Sequence, residues 1–197
     1  MNGIPLLILF IYSGFTINLV LQCGLGIRGI VESKNLFDIS ALTRIIIIFF
    51  TVILLWFLFT SVLYRAIPGI FIYIILFPVS AVIYSGFEYL IFRFVLKKEN
   101  ENDNESMVSF SGGITAVAVF ICINLAEHFT EVVILSFGFT AGILLINVII
   151  WEIRRRASLE TVPVFMRGRP LILITMGLLS LVFTTASILL FRMISAG

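Results

Sequence analysis

Charge is what this sequence has least of. Asp, Glu, Lys and Arg make up 12% of its 197 residues, about half the share usual in a soluble domain. Hydrophobic residues make up 60% and mean hydropathy is +1.18, which excludes a water-soluble fold for want of polar surface. The net charge of +2 carries no signal for nucleic acid, and no such partner is expected. Cysteine is limited to Cys23 and Cys122, and histidine to His128, which has no second metal ligand at a useful spacing. No nucleotide-binding fingerprint, catalytic triad or metal-binding helix motif occurs. No Lys or Arg precedes the first apolar run, and that run is too long for a signal-peptide core.

What is present is a series of apolar, charge-free runs: 4–27, 45–64, 66–87, 106–126, 132–151 and 170–191. Each is close to or above the roughly 20 residues that cross a bilayer core at about 1.5 Å per residue. The expected fold is therefore an all-α integral membrane protein with six transmembrane helices. Arginine in hydrocarbon costs about 2.5–3.5 kcal/mol by insertion scales, so the basic residues mark aqueous faces. Loops after the first, third and fifth helices hold Arg28, Lys34, Arg44, Arg93, Lys97, Lys98, Arg154, Arg155, Arg156, Arg167 and Arg169. The opposite side holds only Arg65 and Arg192. The positive-inside rule makes the first side cytoplasmic and predicts an N-out, C-out chain in the cell inner membrane.

A polar stretch at 97–106 divides the chain into three helices at 1–96 and three at 107–197. Ser13-Gly14 recurs as Ser111-Gly112, and Arg65-Ala66-Ile67-Pro68 as Arg167-Gly168-Arg169-Pro170. An odd number of helices per half inverts the second half in the membrane, which is the inverted-repeat plan. Pro78 is expected to kink the third helix. The cluster Gly24-Leu25-Gly26-Ile27-Arg28-Gly29 reads as a helix break.

The cytoplasmic loop at 151–170 and the helix after it carry a resemblance. Ile153-Arg154-Arg155-Arg156, Val162-Pro163-Val164-Phe165, Arg167-Gly168 and Leu173-Ile174-Thr175-Met176-Gly177-Leu178-Leu179-Ser180-Leu181 resemble the A subunit of the Rnf electron-transport complexes. The same family includes the paired D and E subunits of the Nqr sodium pumps. The resemblance implies an integral-membrane subunit of a complex that couples electron flow to Na⁺ or H⁺ movement. It implies a homologous membrane partner of opposite topology and other Rnf/Nqr-type subunits. It also implies a [2Fe–2S] cluster shared with that partner, held by one cysteine after the first helix and one in the fourth of each chain.

At those two positions this sequence has Arg28 and Gly113. The expectation is a chain that binds no cluster alone and does not complete the shared one, which needs four thiolates. Cys23 and Cys122 are the remaining candidates. On continuous helices they lie about 20 Å apart along the membrane normal, too far for one cluster or a disulfide. Re-entrant breaks at Gly24-Leu25-Gly26 and Gly112-Gly113 are the alternative that would bring them to one depth. Glu88 is the acid expected at membrane depth, paired at the interface with Arg93 or Lys97 or lining an ion path. Asn18, one turn from Gln22, and Asn124 are further ion-path candidates or helix-to-helix glue. The alternative function is a cofactor-free relative acting as a small transporter or membrane scaffold.

Overall fold

The computed structural model describes residues 3–23, 39–63, 69–91, 93, 104–159 and 169–196. Every regular element among them is helical. Helix α1 (Gly3–Ile11) passes into a π-helical turn (Tyr12–Thr16) and then a short α2 (Leu19–Cys23). Next come α3 (Ile39–Leu58), prolonged by a second π-helical turn (Phe59–Leu63), and α4 (Gly69–Ile91). The second half holds α5 (Asn104–Leu125), α6 (Phe129–Leu159) and α7 (Arg169–Ala196).

The segment Ile45-Ile46-Ile47-Ile48 in α3 is β-branched and a modest helix former in water. In hydrocarbon the choice is different, because a helix satisfies its backbone internally and an extended strand does not. Among the described residues four helices are long and apolar enough to cross a membrane: Leu42–Ser61, Ile74–Ile91, Phe129–Ala157 and Pro170–Leu189. Two shorter apolar stretches, Leu6–Leu21 and Gly113–Leu125, fall on the first and fourth predicted runs. The protein is membrane-embedded, and its outward face is apolar, with Phe50, Phe57, Val82, Leu178 and Leu181 all exposed.

Helix α6 is the hub. It meets α1, the first π turn, α2, α3, α5 and α7. Helix α3 packs on α4, α5 and α6, and the α4–α5 pair is the most extensive contact among the described residues. Leu55, Leu76, Val119, Cys122, Leu135 and Ile146 form the centre of the core, each fully buried. The turn from α5 into α6 is fixed by Glu131, whose carboxylate accepts hydrogen bonds from the Glu127 and His128 backbone N–H groups at 2.9 and 3.3 Å. That is the reach-back half of a capping box, and it gives the short loop a structural purpose.

Several expectations change. The first helix is not continuous, because it stops at Ile17 and restarts at Leu19. Gly112-Gly113 does not break α5, which is helical throughout. Helix α5 starts at Asn104, so the last residues of the polar stretch are helical. Pro78 lies inside α4, as expected, with helix on both sides of it. The break expected at Gly24–Gly29 lies outside the described residues, as do Arg28 and residues 97–103.

Candidate functional site

The break in the first membrane segment is built by one side chain. Ile17 has φ −103° and ψ 54°, off the helical region, and its N–H closes the π turn onto the Tyr12 carbonyl at 2.9 Å. The next residue, Asn18, is 2% exposed. Its Oδ1 accepts from the Val20 and Leu21 backbone N–H groups, both at 3.2 Å, which is an N-cap for α2. Its Nδ2 donates to the Gly14 carbonyl at 3.2 Å and across to the Gly142 carbonyl of α6 at 3.4 Å. Asn18 is therefore not a mid-helix polar group one turn from Gln22, as the sequence implied. It terminates one helix piece, starts the next and ties both to α6.

Glycine makes that tie possible. A Cβ on Gly142 would stand 2.7 Å from the Gly14 carbonyl oxygen, and one on Gly14 would stand 3.1 Å from the Gly138 carbonyl oxygen. A Cβ on Gly138 would overlap Ser13 Oγ and lie 2.8 Å from the Phe10 carbonyl oxygen. The backbones of the first segment and α6 thus touch over two turns, the close approach that small residues allow in a membrane. Ser13 Oγ donates to the Phe10 carbonyl at 3.0 Å, and Thr140 Oγ1 to the Ser136 carbonyl at 3.0 Å. Thr51 and Ser80 likewise bond their own helices. These hydroxyls are satisfied locally.

A second polar feature lies at the other end of the α3–α4 pair. Glu88 is 6% exposed. Its Oε1 accepts from Arg44 Nε at 2.9 Å, with the arginine side chain 20% exposed. Oε2 is buried and has no hydrogen-bond partner among the described residues. The expected interfacial partners were Arg93 or Lys97. Arg93 instead donates to Tyr89 Oη at 2.6 Å and lies over that ring at 5.7 Å, and Lys97 is outside the described residues. Arg44 was missed as a partner. The signal for it was present: on antiparallel neighbours, a charge at the start of the second helix and one at the end of the third lie at one depth.

The other candidates separate. Asn124 is exposed and donates to the Phe120 carbonyl at 2.7 Å, one turn back in its own helix. Glu88, Asn18 and Asn124 lie on three different helical elements, two at helix ends and one at a break. Cys122 is fully buried in the core beside Ser136. It is about 13 Å along α5 from Gly113, by the rise of about 1.5 Å per residue, so it does not stand at the second ligand position. The side chain of Cys23 lies outside the described residues. At the two positions that the resemblance assigns to cluster ligands the chain has Arg28 and Gly113, neither of which carries a thiolate. Among the described residues no three His, Cys, Asp or Glu side chains come together.

The C-terminal end of α6 holds an exposed Glu152–Arg156 ion pair at 3.0 Å, and Arg155 lies over the Trp151 ring at 5.5 Å. An exposed pair of this kind contributes about 0.3–0.5 kcal/mol. The tryptophan with its arginine is the usual company of a membrane–water boundary.

These features define an all-helical membrane protein with a capped helix break, a glycine seam and a buried ion pair. Comparison with known proteins narrows the class. The chain is 40% identical over 65 residues to the A subunit of the ion-translocating oxidoreductase complex of Pectobacterium atrosepticum, covering 33% of this chain and 34% of that one. The same figures hold for the corresponding protein of Pectobacterium carotovorum subsp. carotovorum. The matched segment spans about a third of the length of these relatives. No family model matches the chain. The Rnf resemblance read from the sequence is thereby supported by independent similarity.

Proposed function

We propose that this chain is an integral-membrane subunit of an ion-translocating electron-transport complex of Rnf type. The observation that carries the reading is the 40% identity to two proteins named as the A subunit of an ion-translocating oxidoreductase complex. In this reading the chain sits in the cell inner membrane with six crossings and both termini outside. It pairs with a homologous subunit of opposite topology and with soluble redox subunits, and the translocated ion is Na⁺ or H⁺.

The inverted-repeat plan has support in how the helices meet. Exchanging the halves turns the first segment into α5, α3 into α6 and α4 into α7. The contact of the first segment with α6 then maps onto that of α5 with α3. The contact of α4 with α5 maps onto that of α7 with the first segment, and α3–α6 maps onto itself. Glu88 is the ion-path candidate with the best placement, since it is an acid buried at a helix end. Asn18 and Asn124 act as structural groups in this account.

A second reading is favoured by one observation. Arg28 and Gly113 hold the positions where the family has cluster ligands, so the chain suits a cofactor-free relative that transports or scaffolds without carrying electrons. One purification distinguishes the two. The tagged chain, isolated from native membranes in gentle detergent, should bring a homologous membrane chain and flavin- or iron-containing subunits with it. Recovery of the chain with no redox-active partner at any detergent concentration would leave the transporter or scaffold reading in its place.

A further inference from the structure

One face of α6 (Phe129–Leu159) is ordered like a lipid. Phe137, Leu144 and Val148 are exposed on it, and half-buried Trp151 and exposed Arg155 continue the same register. At about 100° per residue the five fall within an arc of roughly 60°, so they form one stripe. The stripe is apolar for three positions, amphipathic at the fourth and cationic at the fifth. That is the order of contacts along a phospholipid, from acyl chain to headgroup. The length agrees as well. Leu144 to Arg155 is about 16 Å of helix, close to half of the roughly 30 Å hydrocarbon core of a bilayer, and so about one leaflet.

The cationic end suits an anion. Arg155 lies over the Trp151 ring at 5.5 Å, which holds its guanidinium near the boundary before any ligand arrives. A guanidinium presents its N–H donors in a planar fork that matches a phosphate. Arg156 is on another face, and Glu152 answers its charge at 3.0 Å. Residues 152–156 hold three arginines against one glutamate, an excess of two positive charges. The C-terminal end of the helix dipole offsets only about half a charge of this, so the local field still attracts an anion.

We propose that this stripe binds one anionic membrane phospholipid. Its phosphodiester sits on Arg155, its glycerol region against Trp151 and an acyl chain along Val148 and Leu144. A zwitterionic lipid fits less well, because its headgroup brings a second cation among the arginines. The proposal goes beyond the complex-subunit reading and needs only that the chain lies in a bilayer.

The test uses the full chain in nanodiscs containing brominated-chain phosphatidylglycerol or brominated-chain phosphatidylcholine. Quenching of tryptophan fluorescence is titrated against mole fraction. The chain has two tryptophans, so Trp56→Phe leaves Trp151 as the reporter. Phosphatidylglycerol should be preferred about fivefold, the attraction expected of one arginine near a membrane surface. Arg155→Gln, an exposed substitution that leaves the core alone, should remove the preference. Arg156→Gln takes the same charge from the neighbouring face and should keep it. Equal loss in the two variants would mean diffuse surface charge and overturns the proposal, as does a chain that does not distinguish the lipids. Excess inorganic phosphate should not displace the lipid; displacement would mean a site for free anions and also overturns it. Should Trp56→Phe not fold, native mass spectrometry of the chain with both tryptophans, released from mixed nanodiscs, makes the same comparison. Phosphatidylglycerol should then be retained in excess by the wild type and not by Arg155→Gln, and equal retention by the two overturns the proposal.

Discussion

The first apolar segment is broken at Ile17 and Asn18, whereas α5 runs unbroken from Asn104 to Leu125. Both contain glycines and both contain an asparagine. Glycine content therefore does not decide where a membrane helix stops. Gly112-Gly113 remains helical because helix is the conformation that satisfies their N–H groups; two glycines cost about 1 kcal/mol each against alanine, less than unpaired backbone in hydrocarbon. At Asn18 the donors have somewhere else to go. The π turn takes the Ile17 N–H, and the Asn18 side-chain oxygen takes those of Val20 and Leu21. Asn124 has the same side chain but lies at the end of α5 on an exposed face, and it bonds its own helix through the Phe120 carbonyl.

Substitution sharpens this contrast. The largest effect is expected at the seam. Gly142→Ala drives a Cβ into the Gly14 carbonyl, which is backbone and cannot rotate away. The cost should reach the upper part of the usual overpacking range, about 1–3 kcal/mol, read as a lower unfolding midpoint in nanodiscs. An unchanged midpoint would mean that the first segment is not held against α6.

Next is the cap. Asn18→Ala removes the acceptor for two backbone N–H groups and should destabilise by about 1–2 kcal/mol. Hydrogen exchange localised to Val20 and Leu21 would identify the cause. If exchange there stays slow, the cap is not what starts α2.

Glycines off the seam should move the other way. A Cβ on Gly86 or Gly177 meets nothing within 4 Å. Alanine at either site should be neutral or stabilise by about 0.5–1 kcal/mol through helix propensity. Destabilisation there would reveal close contact with another helix on that face. The smallest effect is expected for Asn124→Ala, within about 0.5 kcal/mol as for most surface changes. A larger loss would restore Asn124 as a functional group.

The helices were legible in the sequence because apolar length sets them. The runs at 106–126 and 170–191 fall on α5 and α7 to within a turn or so. Run 132–151 fell short of α6 because Glu152 to Arg156 leave the membrane without leaving the helix. The break at Asn18 was not legible, since a capping asparagine and a gluing asparagine look alike in a row of apolar letters. The ion pair was half legible. Glu88 stood out as an acid at membrane depth, but its partner lies 44 residues away in sequence, and local spacing pointed to Arg93 instead.

The seam between Asn18 and Gly142 joins residues 124 apart in the chain. During synthesis at about 5–20 residues per second, α6 follows the first segment by roughly 6–25 s. In the finished fold α1 alone, at nine residues, reaches only about 14 Å. Until α6 is made, the first segment has no glycine partner and no acceptor for Asn18 Nδ2 beyond its own Gly14. The contacts that finish this segment, the Gly142 carbonyl and the glycine seam, are thus supplied by a helix made later, from the other half of the chain.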